Sequence, residues 1–479
     1  MNIMDSKKII TCITVAVILL FTGVIIGWHL YTPRTDFEIQ APGADNRPEG
    51  GARSIYDVQI GEHFMKYADV EPSSLTGKWT QFRGEKSDNI IVTAENINFS
   101  GSDYPILWTI ETGEGYAAPV IYNGRAYFLD YVEALSSDAL RCLDLETGAE
   151  IWRRWYRSPM RRNHGFSRTV PVIGEGYIIT IGPMGHVMCC DPETGDLLWA
   201  IDMQKDFGTT IPQWHSGQCP LVDDGILVLA PAGEEILLAG LDCLTGEILW
   251  STPNTINYDK SHSSIMPMTI AGKRTYVYIG LGGVCGVSAD KDDIGTLLWH
   301  VSTWRPSTAA VPSPVQIAQN RIFLCAGYGV GGALLEVNRQ GERWNAAITQ
   351  QYNPRDGISC EQHTPIFYNN MLISVLPKSG GPMRSRVVCY SPTNLNNPLW
   401  ISEGDETIVD GPYIVINNHL FAFSETAELF VYEILQQSMR LLKRQKIMDG
   451  SDAFGPLSYA DGILVLGDDH TLMALKISD

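Results

Sequence analysis

The chain has 479 residues, and 35 basic against 54 acidic side chains leave a net charge of −19. That length exceeds one small domain and suffices to bury a large core. The acidic balance repels phosphate backbones and argues against nucleic acid as a partner. Forty-five glycines and 26 prolines favour many turns between short strands.

The first predicted element is a helix. Lys7 and Lys8 precede an uncharged run from Ile9 to Tyr31, longer than the roughly 20 residues needed to span a bilayer. No A-x-A-like cleavage site follows, and Cys12 lies too early for a lipoprotein site, so residues 1–31 read as a cytoplasmic tail and uncleaved signal anchor. The two lysines hold the N-terminus inside, which places the remaining chain on the periplasmic or extracytoplasmic side. Trp28 and Tyr31 suit the aromatic belt at the far interface. Residues 32–78 include "APGADNRPEGGARS" and read as a polar linker. Residues 79–104, beginning "WTQFRG", form a segment ahead of the repeats, which occupy residues 105–479.

Six stretches end in tryptophan at intervals of 45 to 56 residues: "CLDLETGAEIW", "CCDPETGDLLW", "GLDCLTGEILW", then the weaker "ADKDDIGTLLW", "LLEVNRQGERW" and "YSPTNLNNPLW". The strong copies share Asp144, Thr147, Gly148 and Trp152; Asp191, Thr194, Gly195 and Trp199; Asp242, Thr245, Gly246 and Trp250. The weaker ones contribute Trp299, Trp344 and Trp400. In each, Asp can cap a turn, Gly supplies positive φ, and the indole can wedge between sheets. A second ladder restarts at Pro119, Pro171, Pro220, Pro267, Pro314, Pro365, Pro412 and Pro456, each followed by an apolar–turn–apolar hairpin pattern. Eight such units predict an all-β fold of eight four-stranded sheets, an eight-bladed β-propeller. The last unit ends before any tryptophan, while "YPILWTIE" with Trp108 precedes the first proline. This early strand is therefore expected to complete blade eight. Blade seven, "VYEILQQSMRLLKRQKI", lacks both Trp and Thr-Gly and reads as the most degenerate.

The A-x-D-x-x-T-G-x-x-x-W pattern resembles the tryptophan-docking motif of eight-bladed PQQ-type propellers, over roughly residues 105–479. "WTQFRG" is similar to a W-x-Q-F-R-G segment that precedes such propellers in some bacterial families. The resemblance implies one of two branches: quinoprotein dehydrogenases with PQQ and a divalent cation, or non-enzymatic repeat proteins such as the outer-membrane assembly factor of the BamB type.

The pair Cys189–Cys190 bears on that choice, because PQQ dehydrogenases carry a ring of adjacent disulfide-bonded cysteines beside the cofactor. Here the two occupy successive strand positions, whose side chains point to opposite faces. The remaining propeller cysteines sit singly in apolar runs such as "IFLCAG" and read as small packed hydrophobes needing no partner. Quinone chemistry also needs a cation held by carboxylate and amide oxygens and a base beside the substrate, and no matching cluster stands out. The expectation is a binding protein without cofactor, catalytic residues or metal.

Funnel residues are sought just ahead of each proline. Glu114, His215 and His262 each lie five residues before theirs, with Arg168, Glu361, His363, Asp410 and Asp452 close by in other units. These eight are candidates for a polar ligand, set against the plainer reading of solvated loop side chains. "RRWYRSPMRR" (Arg153 to Arg162) could grip an acidic partner or lipid headgroups, the plainer reading being a solvated loop. "GYGVGGALLEV" lacks the strand-to-helix sequel of a phosphate loop and reads as a turn. The resemblance implies a membrane-anchored scaffold whose partners are proteins or peptides of the cell envelope, and its BamB-type branch implies a part in outer-membrane protein assembly. A divergent PQQ dehydrogenase or another small-molecule-binding enzyme is the alternative, and a sensor domain a third reading.

Overall fold

The computed structural model describes residues 3–31, 58–67, 70–355 and 357–478. Helix α1 (Ile3–Tyr31) carries the apolar span Lys8–Trp28, long enough to cross a membrane. Val58 onward forms a separate unit.

That unit is a ring of eight antiparallel sheets: blade one at 120–157, two at 172–202, three at 221–253, four at 266–301, five at 315–352, six at 366–401, seven at 413–446 and eight at 458–476. In every blade but the fourth the innermost strand follows its proline, and in blade four Pro267 is the strand's second residue; a missing N–H costs least at such strand starts. Strand β4 (Ile106–Glu111) pairs with Thr471–Lys476 as the outermost strand of blade eight, setting Trp108 opposite Ala474. Strands from both ends of the chain thus share the last blade.

Two sheets exceed four strands, a departure from the uniform expectation. Strand β1 (His63–Lys66) pairs outside blade one, and β2 (Lys78–Trp79) pairs with that blade's innermost strand. Strand β3 (Ile90–Ile91) joins the innermost strand of blade seven in parallel. The stretch read as linker up to residue 78 is therefore partly built into the propeller. Ser73 N donates to Asp144 and Gly77 N to Asp461, tying the strap to turns of blades one and eight.

The docking turns explain the tryptophan period. Asp144, Asp191 and Asp242 each accept through Oδ1 from two backbone N–H groups of their own turn, including those of Thr147, Thr194 and Thr245 at 2.8 Å. Gly148, Gly195 and Gly246 sit at φ +72°, +75° and +73°. On each lies the indole of the preceding blade: a Cβ there would stand 2.6 Å from Trp108, 3.0 Å from Trp152 and 2.7 Å from Trp199. The same indoles donate through Nε1 to the carbonyl just after the Asp, at Leu145 (2.8 Å), Pro192 (3.3 Å) and Cys243 (2.9 Å). Trp250 lies over Gly295 likewise, but its Nε1 finds no protein acceptor because blade four's turn is rebuilt.

The residue opposite each docking indole is small: Cys142, Cys189, Gly240, Gly286, Cys389 and Ala474. A Cβ on Gly240 would come within 2.1 Å of Trp250. Cys189 and Cys190 are thereby explained. Both are buried, in different core clusters on opposite faces of one strand, and both are free thiols.

Three expectations need correction. Trp344 is not a docking residue: it pairs with Arg339 near the tip of a long hairpin, and Gln350 holds the docking register instead. In blade seven that register falls to Lys443, whose ammonium lies 3.7 Å from the Tyr104 ring centroid. Cys325 is not solitary, since it is disulfide-bonded to Cys360 across the loop into blade six. The arginine run is neither free patch nor solvated loop in its first half, being part of strand Glu150–Arg157. Arg153 pairs with Glu150 at 2.7 Å, and Arg154, over the Phe64 ring, donates to Gly195 and Gly61.

Candidate functional site: a funnel closed at one end

Around the channel, the segments preceding the prolines bind one another in relay. Val170 N donates to Cys219 Sγ, Cys219 N to Ser264 Oγ, Ser264 N to Ser313 Oγ and Ser313 N to Thr364 Oγ1, at 2.8–3.3 Å. Each small polar side chain satisfies a buried N–H of the neighbouring blade, which fixes the loops that rim the funnel.

The other end of the channel is filled by the segment between β2 and β3. Thr80 O accepts from Ile173 N of blade two, and Asn89 Nδ2 donates to Tyr413 O of blade seven. Phe82 packs against core residues of blades one and two and also of blades four and five. Arg83 donates to Ser87 O, Asp88 O, Thr364 O and Pro365 O at 2.9–3.2 Å. "WTQFRG" is thus a plug whose tip forms the funnel floor.

Above it lies a cavity of about 310 Å³, at the small end of ligand pockets. Phe82 and Arg83 line its floor, Ala309 and Val311 an apolar stretch of wall, and Tyr116, Trp214, Tyr328 and Phe454 its aromatic faces. Trp214 stacks on Tyr328 with centroids 5.1 Å apart, joining the loop before blade three to the turn at 327–330 of blade five. On the other side Tyr116 meets Phe454 at 5.5 Å. Trp214 and His215 both hold φ +68°, and His164, Tyr328, Val409 and Asp452 are also left-handed. Such backbone is costly outside glycine and concentrates at functional sites.

Of the eight candidates, Arg168, His262, His363 and Asp452 line this cavity. The other four stand behind or beside it. Glu114 is buried and ion-paired with Arg162. His215 turns toward Phe166, and Glu361 accepts from Ser379 at 2.8 Å. Asp410 is raised to about 6 by burial and by repulsion from Glu361. Sequence reasoning missed Phe82, Arg83, Trp214 and Tyr328. The one signal for Tyr328 was an aromatic set between glycines in "GYGVGG".

Burial first, and Arg168 second, depress His262 to about 4; burial and then Arg83 do the same for His363. Both imidazoles are neutral at physiological pH. Neither ring nitrogen of His262, nor Nε2 of His363, makes a well-formed hydrogen bond in the protein, although the backbone of Gln213 and His215 lies close to His262. Arg83 is lowered to about 10 by burial. Its bonds, and those of Arg168 to Trp214 O, Asn163 O and His164 O, go to carbonyls rather than carboxylates.

A quinone–cation pair does not fit this lining. Among the described residues no three His, Cys, Asp or Glu side chains gather as a cation site, and Asp452 is the one carboxylate on a wall that also bears two arginines.

Residues 136–359 match the sequence model of a family described as outer membrane protein assembly factor BamB. No curated protein sequence matches the chain. Among solved structures, a quinohemoprotein alcohol dehydrogenase from Pseudomonas putida aligns at 12% identity and TM-score 0.57, over 84% of this chain and 80% of that one. The quinohemoprotein alcohol dehydrogenase of Comamonas testosteroni aligns at 12% identity and TM-score 0.56 over the same shares. BamB from Moraxella catarrhalis aligns at 11% identity and TM-score 0.49, over 78% of this chain and all of that one. At such identities the likeness is one of fold. The matched residues contain the docking turns that lock the early blades together, and the chain is accordingly an eight-bladed β-propeller whose residues 136–359 match that family model.

Proposed function

We propose that this chain is a membrane-anchored scaffold of the cell envelope that holds proteins or peptides at the funnel of its propeller. The observation that carries this reading is the cavity lining: aromatic walls, the uncharged imidazoles of His262 and His363, and arginines bonded to carbonyls, with no cation cluster among the described residues. That is the chemistry of recognition. The Cys325–Cys360 disulfide suits an oxidising compartment and so supports export. The apolar span Lys8–Trp28 supplies an anchor, with the propeller on the extracytoplasmic side. Exposed Leu197, Leu198, Leu244, Ile248 and Leu249 on blades two and three offer a second contact surface for protein. A role in outer-membrane protein assembly accords with the family description of residues 136–359.

A photo-crosslinking residue placed at Tyr328, on the funnel mouth, is expected to capture discrete envelope proteins in living cells. The same residue at Lys291, in a turn of blade four, should not. Purified protein mixed with PQQ and calcium should show neither quinone absorbance nor dye-linked alcohol oxidation. Oxidation that depends on added PQQ would overturn the reading.

A further inference from the structure

The cavity has a charge at odds with its host. The chain carries −19, yet its funnel presents Arg83 and Arg168 against Asp452 alone among the charged residues lining it. Both guanidinium groups satisfy donors on backbone carbonyls, which leaves their charge without a carboxylate in contact. Holding a buried cation such as Arg83 away from any carboxylate contact is expensive, and the half-buried Arg168 adds a second positive charge to the same lining. Arg168 places its Nε and Nη2 on carbonyls, and the imidazole of His262, a side chain only 5% exposed, lies near the backbone of Gln213 and His215 without a well-formed hydrogen bond. The single N–H of this neutral imidazole, beside the Arg168 guanidinium, is placed to meet an acceptor brought in by a ligand.

The shape narrows what can supply it. With the channel filled by the plug, nothing can thread the funnel; a ligand must enter from the open mouth and end at the floor. It passes between aromatic faces at Trp214–Tyr328 and Tyr116–Phe454 before meeting Arg83. An extended peptide meets both conditions with one of its ends, whose free carboxylate is fixed in place by backbone geometry. An internal acidic side chain would have to bring two chain arms into a cavity of about 310 Å³.

We propose that the funnel captures peptides end-on by their C-terminal carboxylate, which is received by Arg168, His262 and Arg83 while an aromatic last side chain packs against Trp214 and Tyr328. This rests on the scaffold reading above and specifies which part of the partner is held.

The test uses the full chain in detergent micelles and three pentapeptides acetylated at the N-terminus: Gly-Ser-Gly-Ser-Phe as the free acid, the same peptide as the C-terminal amide, and Gly-Ser-Gly-Ser-Ala as the free acid. Binding is read by calorimetry and by Trp fluorescence. The Phe acid should bind at least tenfold tighter than its amide, with the preference shrinking as salt rises. Arg168→Gln should abolish the acid-over-amide preference. Because Arg168 also braces its loop, Tyr328→Ala serves as a second variant: it should weaken the Phe acid toward the Ala acid and leave the acid-over-amide ratio intact. Equal binding of acid and amide, or a preference that survives in Arg168→Gln, overturns end-on capture alone. Absence of binding by all three peptides overturns both this proposal and peptide recognition at the funnel.

Discussion

Cys189 shows how a single side chain is chosen by its neighbour. It faces Trp199 across a strand pair, is fully buried, and shares its register with Cys142, Gly240 and Gly286. Space beneath an indole, not redox chemistry, sets the residue. Cys189→Leu should therefore destabilise by about 1–3 kcal/mol through overpacking, and Cys189→Ala by less, measured by urea unfolding. Lys260 poses a different problem. It is 1% exposed and bonds Gln218 and Ala230 O without any carboxylate, and burial lowers it to about 7. Between pH 7 and its ordinary 10.5 the unfolded chain binds the extra proton, so stability should rise with pH across that window. Lys260→Met should flatten the rise and raise the unfolding temperature at pH 7, as seen in thermal melts across the range.

The plug is the element on which the site depends. Arg83 ties it to Thr364 O and Pro365 O of blade six as well as to its own turn. Arg83→Met should cost about 1–3 kcal/mol by orphaning buried carbonyls, and should make the loop that carries His363 exchange amide hydrogens faster. Arg83→Lys should recover little, since an ammonium cannot span a fork of four acceptors. This element also marks where sequence reading stops. "WTQFRG" was visible as a motif, but nothing in its residues says that it enters a channel, because the channel exists only once eight blades have closed. The disulfide escaped for a similar reason: Cys325 and Cys360 lie 35 residues apart, one in a strand and one in a loop. His215 was misjudged because equal spacing from a proline does not preserve direction when the loop turns left-handed at Trp214 and His215. Blade number and closure, by contrast, were legible, since a proline opens every unit and Trp108 stands ahead of the first one, where the last unit lacks a tryptophan.

For the molecule as a whole, stability rests on a ring whose joints differ. Trp108 is buried at the closing joint and bonds Leu145 O of blade one; Trp344 is half-buried near a hairpin tip. Trp108→Ala should cost about 3–5 kcal/mol and Trp344→Ala much less, a contrast that chemical denaturation of the two variants can measure. Equal losses would mean that the joint between blades eight and one is not special.

Closure by β4 also imposes an order in time. Its hydrogen-bonding partner, Thr471–Lys476, is made only after all the intervening blades. Until then β4 is an unpaired strand and the indole of Trp108, buried in the closed ring, is uncovered, which is the kind of surface that aggregates or recruits chaperones. Long-range pairing of this sort is slow. A chain stalled before residue 471 should therefore be cleaved readily by protease in pulse experiments, and the finished chain should resist.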